Sequence, residues 1–130
     1  MKLRVRFAET DQMGVAHHSA YIIWFEAARV EWLRERGLDY RRLEASGISL
    51  AVSAVNVQYL RSSRFDDELF VQADMTELKS RRVRYHYVVY RGSETLATGD
   101  TLHTPVDKNG RALRLPKGWL EALYPHVSSL

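Results

Sequence analysis

DQMGVAHHSAYIIWFEAARVEWLRER, Asp11 to Arg36, decides the fold. It joins a carboxylate, a glycine and two histidines to a helical segment whose first half is almost entirely apolar. Between Ala20 and Ala28 the only charged side chain is Glu26, whereas a surface helix keeps a broad polar face and confines its apolar residues to one stripe. On a helical wheel Tyr21, Trp24, Phe25, Ala28 and Trp32 share one side while Ile22, Ile23, Val30 and Leu33 lie across from them. Both sides require burial. Ser19 is the expected N-cap, its hydroxyl taking an orphan N–H of the first turn. Gly37, suited to a left-handed C′ position, is the expected stop after Arg36. A helix buried on more than one side must be wrapped by something, and the rest of the chain offers strands.

Ahead of this stretch, Lys2 to Phe7 alternates Leu3, Val5 and Phe7 with Lys2, Arg4 and Arg6, the period of a strand with one buried face. Ala8 to Gly14 is a polar connection in which Gly14 lets the backbone turn sharply just after Asp11. Beyond the helix, Asp39 to Ser46 reads as a short helical excursion ending at Gly47. Strands then follow at Ile48 to Leu60, Leu69 to Leu78, Arg82 to Arg91 and Thr95 to Val106. The first of these sets Val55, Val57 and Tyr59 against Asn56 and Gln58, and the third alternates Val83, Tyr85, Tyr87 and Val89 with polar neighbours. Gly92-Ser93 and Lys108-Asn109-Gly110 are turns, and Pro116 opens a short helix to about Leu123. Connections this short make antiparallel neighbours. The expected architecture is α+β, one antiparallel sheet curling round one long helix. The two sheet edges and the incompletely covered helix are liabilities that pairing with a second copy removes, so a homodimer is expected.

Length and composition set outer bounds. A chain of 130 residues suits one domain spanning 1–130 and buries roughly two-thirds of its unfolded surface. With 45% hydrophobic and 27% charged residues it is not a disordered or fibrous sequence. It contains no cysteine, which excludes disulfides and thiol chemistry and fits a reducing compartment. Met1 to Phe7 lacks the apolar run of a signal peptide and no stretch reaches membrane-span length, so the expectation is a cytoplasmic protein without a membrane partner. The formal charge is +3, with arginines grouped as Arg61 and Arg64 in RSSR and as Arg81, Arg82 and Arg84 in KSRRVR. These groups form either a solvated face or a polyanion contact. Nucleic acid is disfavoured, because no helix-turn-helix, zinc site or set of stacking aromatics accompanies them.

Asp11 is the foremost candidate for chemistry. It precedes the amides that open the helix, whose free N–H groups and positive dipole end suit an anion or a developing oxyanion. A carboxylate beside a carbonyl held there serves as a base on water or as a nucleophile. The plain alternative is an Asp that only closes its loop. His17 and His18 suggest a metal, but adjacent histidines diverge and no further ligand spacing accompanies them, so no metal is expected. His86 and His103 read as satisfied sheet residues. Glu26 needs a partner or a proton, and Arg29 one turn on is the expected partner. There is neither a G-x-S-x-G elbow nor a glycine-rich phosphate loop.

The stretch RFAETDQMGVAHHSAYIIWFEAAR resembles the opening of hotdog-fold acyl-CoA thioesterases of the 4-hydroxybenzoyl-CoA thioesterase family. The similarity runs on through YLRSSRFDDELFV to LPKGWLEAL, essentially the whole chain, with D-x-x-G-V-x-x-H-x-x-Y as its most specific spacing. The resemblance implies a sheet wrapped round the helix, two protomers with joined sheets, and a site at their interface. It places the catalytic carboxylate on Asp11 and the carbonyl-polarising backbone N–H on His18, with Gly14 shaping the turn. His18 and Tyr21 line the site by the same token, whereas the position of His17 varies among such proteins and leaves its part as site lining open. Basic side chains near the CoA phosphates are implied, with Arg61, Arg64, Arg81 and Arg82 as candidates. The expected protein is an acyl-CoA thioesterase without metal or cofactor, a dimer or tetramer. A hotdog hydratase, presenting an Asp and a His together, and a non-catalytic acyl-CoA binding module, with its Asp tied up, are the alternatives.

Overall fold

Residues 1–129 are described by a computed structural model of the chain. The long helix, α1, spans His18–Glu35. Its C-terminus follows the glycine signal: Gly37 takes φ +73°, its N–H bonds the Arg34 carbonyl, and the Leu38 N–H bonds that of Leu33. That pair of bonds is a Schellman motif. The N-terminus differs from expectation. His17, not Ser19, is the N-cap residue, and no side chain caps the helix. The chain is delivered to α1 by backbone pairing, with Thr10 bridged to Ala16, the His17 N–H bonded to the Glu9 carbonyl and the Ala16 N–H to that of Ser63. A hydroxyl cap one residue later would be redundant.

Five strands form one sheet: β1 (Lys2–Arg4), β2 (Ser49–Tyr59), β3 (Glu68–Lys79), β4 (Arg82–Arg91) and β5 (Glu94–Val106). Their order is β1-β3-β4-β5-β2, every neighbouring pair antiparallel. Short α2 (Tyr40–Ala45), with Asp39 capping the Arg41 N–H, precedes β2, and α3 (Lys117–Leu123) follows β5 with Pro116 at its N-cap. The alternation in Leu69 to Leu78 and Arg82 to Arg91 thus translates directly into β3 and β4. β1 is shorter than its alternation suggests. After Val5 the chain leaves the sheet for a 3₁₀ turn at Phe7–Glu9, held by the Glu9 carboxylate on the Arg6 N–H, and Phe7 is 76% exposed against the edge of Phe65.

The sheet's inner face holds α1. Tyr21, Trp24, Phe25, Ala28 and Trp32 are buried against Leu69, Val71 and Met75 of β3, Val83, Tyr85, Tyr87 and Val89 of β4, and Leu96 and Ala97 of β5. On the opposite side of the helix Leu33 is buried and Val30 half-buried. Ile22 and Ile23 are 40% and 55% exposed, and they face outward together with Glu26. Glu26 consequently needs no partner, and Arg29 instead donates to the Tyr87 hydroxyl at 3.0 Å. Expected burial and expected Glu26–Arg29 pairing are therefore both corrected for this chain: its own sheet covers one side of α1.

Helix and sheet meet tightly at Gly99. The Phe25 ring stacks on Tyr87 with centroids 4.2 Å apart, and a Cβ at position 99 would lie 2.6 Å from the Phe25 ring and 2.7 Å from the Asn56 carbonyl oxygen. The ring is held by Tyr87 and the carbonyl by the β2–β5 ladder, so neither gives way freely. Gly99→Ala is expected to destabilise the fold by about 2 kcal/mol or more through overpacking. Urea unfolding reads this, and an unchanged midpoint would contradict the tight contact.

Candidate active site

The loop between the Phe7–Glu9 turn and α1 is a tight hairpin. The Asp11 N–H bonds the Val15 carbonyl at 2.9 Å, the Gly14 N–H bonds the Asp11 carbonyl at 3.0 Å, and Gly14 has φ +77°. That left-handed conformation is the reason a glycine stands here. The Asp11 side chain divides its two oxygens. Oδ1 accepts from the Met13 N–H at 2.8 Å and the Val15 N–H at 3.3 Å. Oδ2 has no hydrogen-bond partner among the described residues. Loop closure and a free carboxylate oxygen therefore coexist in one residue.

Asp11 opens onto a cleft of about 270 Å³ lined also by His17, His18, Tyr21, Tyr59 and Arg61. His18 is the first residue of α1, and its backbone N–H has no acceptor among the described residues, whereas the Ala20 N–H is already taken by the His17 carbonyl. An open amide at the positive end of an 18-residue helix is suited to a partial negative charge. The His18 carbonyl accepts from the Tyr59 hydroxyl at 2.8 Å, and the two rings meet edge to face at 4.9 Å. Burial, and then the neighbouring Tyr21, push the Tyr59 phenol above its ordinary pKa, so it remains a proton donor. Tyr21 is buried, with its hydroxyl 2.8 Å from that of Ser63 and its ring 5.1 Å from Tyr59. The imidazoles of His17 and His18 are exposed. No group of three or more His, Asp or Glu side chains is placed to hold a metal ion among the described residues.

The candidate arginines are spread out. Arg61 borders the cleft and pairs with Glu94 at 3.2 Å. Arg64 lies behind the loop, where Val15 bridges to it and its Nη1 reaches the Met13 carbonyl at 3.4 Å, close under Gly14. Arg81 and Arg82 sit at the β3–β4 turn, with Arg82 3.3 Å from Glu77. That turn is at the opposite end of the twelve-residue β3 from Glu68, which pairs with Arg4 just ahead of the Phe7–Glu9 turn. Within one chain the cleft thus gathers Asp11, His17, His18, Tyr21 and Arg61, and leaves Arg81 and Arg82 apart.

Sequence reasoning passed over Glu9. It is only 9% exposed, yet its carboxylate accepts from the Arg6 N–H at 2.8 Å and from the Trp24 indole N–H at 2.8 Å. Burial acts to raise its pKa, but the hydrogen bonds from the Arg6 backbone, Trp24 and the Arg6 side chain, with the Arg6 charge, outweigh it and hold the carboxyl below its ordinary value. Two signals pointed there: a buried tryptophan needs an acceptor for its N–H, and a Glu three residues after the start of a turn closes a capping box.

A sheet curled round a single helix, with a carboxylate loop at the helix start, defines a hotdog-fold protein. Residues 5–123 match the thioesterase-like superfamily, and the chain belongs to that family, which places it among the thioester hydrolases. The chain is 29% identical over 94 residues to the acyl-CoA thioester hydrolase YbgC of Escherichia coli, covering 72% of this chain and 70% of that one. Among solved structures it superposes on the hypothetical protein TT1821 of Thermus thermophilus with TM-score 0.92 at 39% identity, over 97% of each chain. The DHNA-CoA thioesterase of Staphylococcus aureus gives TM-score 0.91 at 29% identity, over 96% of this chain and 87% of that one.

Proposed function

We propose that the protein hydrolyses an acyl-CoA to a free acid and CoA in the Asp11 cleft. The observation that carries this reading is the placement of the unengaged Oδ2 of Asp11 and the open N–H of His18 on one cleft. A thioester carbonyl oxygen set on that N–H gains hydrogen bonding and the helix dipole as negative charge develops on it. Two routes use the same geometry. In one, Oδ2 takes a proton from water, the hydroxide adds to the carbonyl carbon, and the C–S bond breaks to release CoA thiolate. In the other, Oδ2 itself attacks, the C–S bond breaks, and water cleaves the resulting mixed anhydride. Of the four arginines, Arg61 is best placed for a CoA phosphate of the same protomer. Arg81 and Arg82 would serve only across an interface.

That interface is the homodimer. β2 is an eleven-residue strand at the sheet edge and carries exposed Val52 and Val55, and Ile22 and Ile23 of α1 are exposed as well. A second copy pairing at β2 would cover that edge. The test of function is thiol release from a panel of short, long and aromatic acyl-CoAs. Turnover of at least one is expected at roughly 1 s⁻¹ or above, and no release beyond the spontaneous rate from any of them sinks the proposal.

A further inference from the structure

Glu9 contributes three attachments, and each ends on a different part of the site. Its Oε1 takes the Arg6 N–H at 2.8 Å, which closes the turn leading out of β1. Its Oε2 takes the indole N–H of Trp24 at 2.8 Å, with the Arg6 Nη2 further off at 3.4 Å. Its backbone carbonyl takes the N–H of His17 at 2.8 Å, one residue before the open amide of His18. Trp24 is a buried core residue of α1, almost two turns beyond His18, with its ring 4.7 Å from Tyr21. One residue therefore links the rigid body of the helix to both ends of the hairpin that carries Asp11.

We infer that Glu9 is a positioning residue that sets the Asp11 carboxylate relative to the His18 amide by clamping the hairpin to Trp24. The inference rests on the thioesterase reading for its effect on rate, but the clamp itself is a statement about geometry. Apart from it, the hairpin joins α1 through the covalent chain, and its remaining ties, the Ala16 N–H on the Ser63 carbonyl, the Val15–Arg64 bridge and the Arg64 contact with the Met13 carbonyl, run to the loop after β2 and not to the helix. A displacement of about 1 Å between reacting groups can cost roughly a hundredfold in rate, and the clamp spans just that degree of freedom. Its ionised state matters. A carboxylate offers only acceptors to the two N–H groups it faces, and the carboxyl lies below its ordinary pKa for that reason. An amide of the same size must turn its NH₂ toward either Trp24 or Arg6, donor against donor.

Glu9→Gln is therefore the informative variant, with Trp24→Phe as its partner. Glu9→Gln is expected to lower kcat by about 10- to 100-fold while KM moves less than about threefold. The amide resonances of His17 and His18 should shift, and either the Trp24 indole N–H or the Arg6 N–H should lose its protection from exchange. In Trp24→Phe the opposing donor is gone, so the double variant should fall no lower than the worse single variant, the sign of one shared interaction. An unchanged kcat in Glu9→Gln overturns the inference, as do strictly additive losses in the double variant. Should the parent be inactive toward every acyl-CoA, the thioesterase reading fails by itself. The backbone amides of His17 and His18 then decide the clamp, shifted resonances upholding it and unshifted ones overturning it.

Discussion

Asp11→Asn is expected to lower acyl-CoA hydrolysis by roughly a thousandfold or more while leaving the fold in place. The division of labour between the two oxygens makes this substitution clean. Asn keeps an Oδ1 that accepts from the Met13 and Val15 amides, so the turn built on those bonds persists. What it replaces is Oδ2, the oxygen the loop leaves without a partner, and an amide nitrogen there neither takes a proton from water nor attacks a thioester. Loss of rate should therefore appear in kcat, with little change in melting temperature. Asp11→Ala makes a useful contrast: it removes both oxygens, so the loop amides lose their acceptor and stability falls as well, by about 1 kcal/mol. A well-folded Asp11→Asn that turns over at the parent's rate would remove Asp11 from the mechanism and leave the cleft as a binding site.

Much of the fold is legible in the sequence because its signals are local. The period-two alternation of Leu69 to Leu78 and Arg82 to Arg91 needs only a buried face to become β3 and β4, and Gly37 stops α1 by its own conformational freedom. The misreadings fall where a distant partner decides. Ser19 has every property of an N-cap, yet the start of α1 is set by the carbonyls of Glu9 and Ser63. Phe7 completes an alternating pattern, but the Arg6–Glu9 turn takes it out of the sheet. The apolar residues on both sides of α1 mark a helix that its own sheet covers incompletely, but no local pattern says that Ile22 and Ile23 are the ones left on the open side. At the site, the position of Asp11 before a helix start could be read from spacing, and the resemblance to hotdog thioesterases assigned it a role. The split between a bound Oδ1 and a free Oδ2, and the burial of Glu9 against Trp24, depend on ångström-scale placement that no pattern encodes. For the arginines, charge gives no address: Arg61 and Arg82 look alike in sequence and stand at opposite ends of the sheet.

His103 provides the second large effect, on stability rather than catalysis. It is 1% exposed, inside a buried chain of hydrogen bonds that begins at Arg29 of α1. The direction that gives every hydroxyl hydrogen in that chain an acceptor starts from Arg29. Arg29 can only donate, so the Tyr87 oxygen accepts and its O–H passes to Thr101 at 2.6 Å, whose O–H in turn passes to Nε2 of His103 at 2.8 Å. Nε2 is thereby an acceptor, and the neutral ring carries its proton on Nδ1, which faces the backbone of Leu50 without a hydrogen bond of ordinary geometry. Protonation would place a second donor against the Thr101 hydroxyl and a cation beside Arg29, in a pocket closed by the rings of Tyr85 and Tyr87. Burial, then the Arg29 charge, accordingly lowers the His103 pKa to about 4, with the Leu50 backbone pulling weakly the other way. Since the folded-state pKa lies below the ordinary value of about 6.5, the unfolded chain binds the extra proton first as pH falls. The stability held at neutral pH should therefore decline between about pH 6.5 and pH 4, by roughly 3 kcal/mol in total. Carboxylates such as Glu9 add their own losses only at the acid end of that window, because their pKa values lie lower. Urea unfolding of the parent and of His103→Gln at pH 7, 5.5 and 4.5 separates the two contributions. The parent should lose stability steeply across the interval and the variant much less, whereas parallel losses in both proteins would assign the acid sensitivity to other groups.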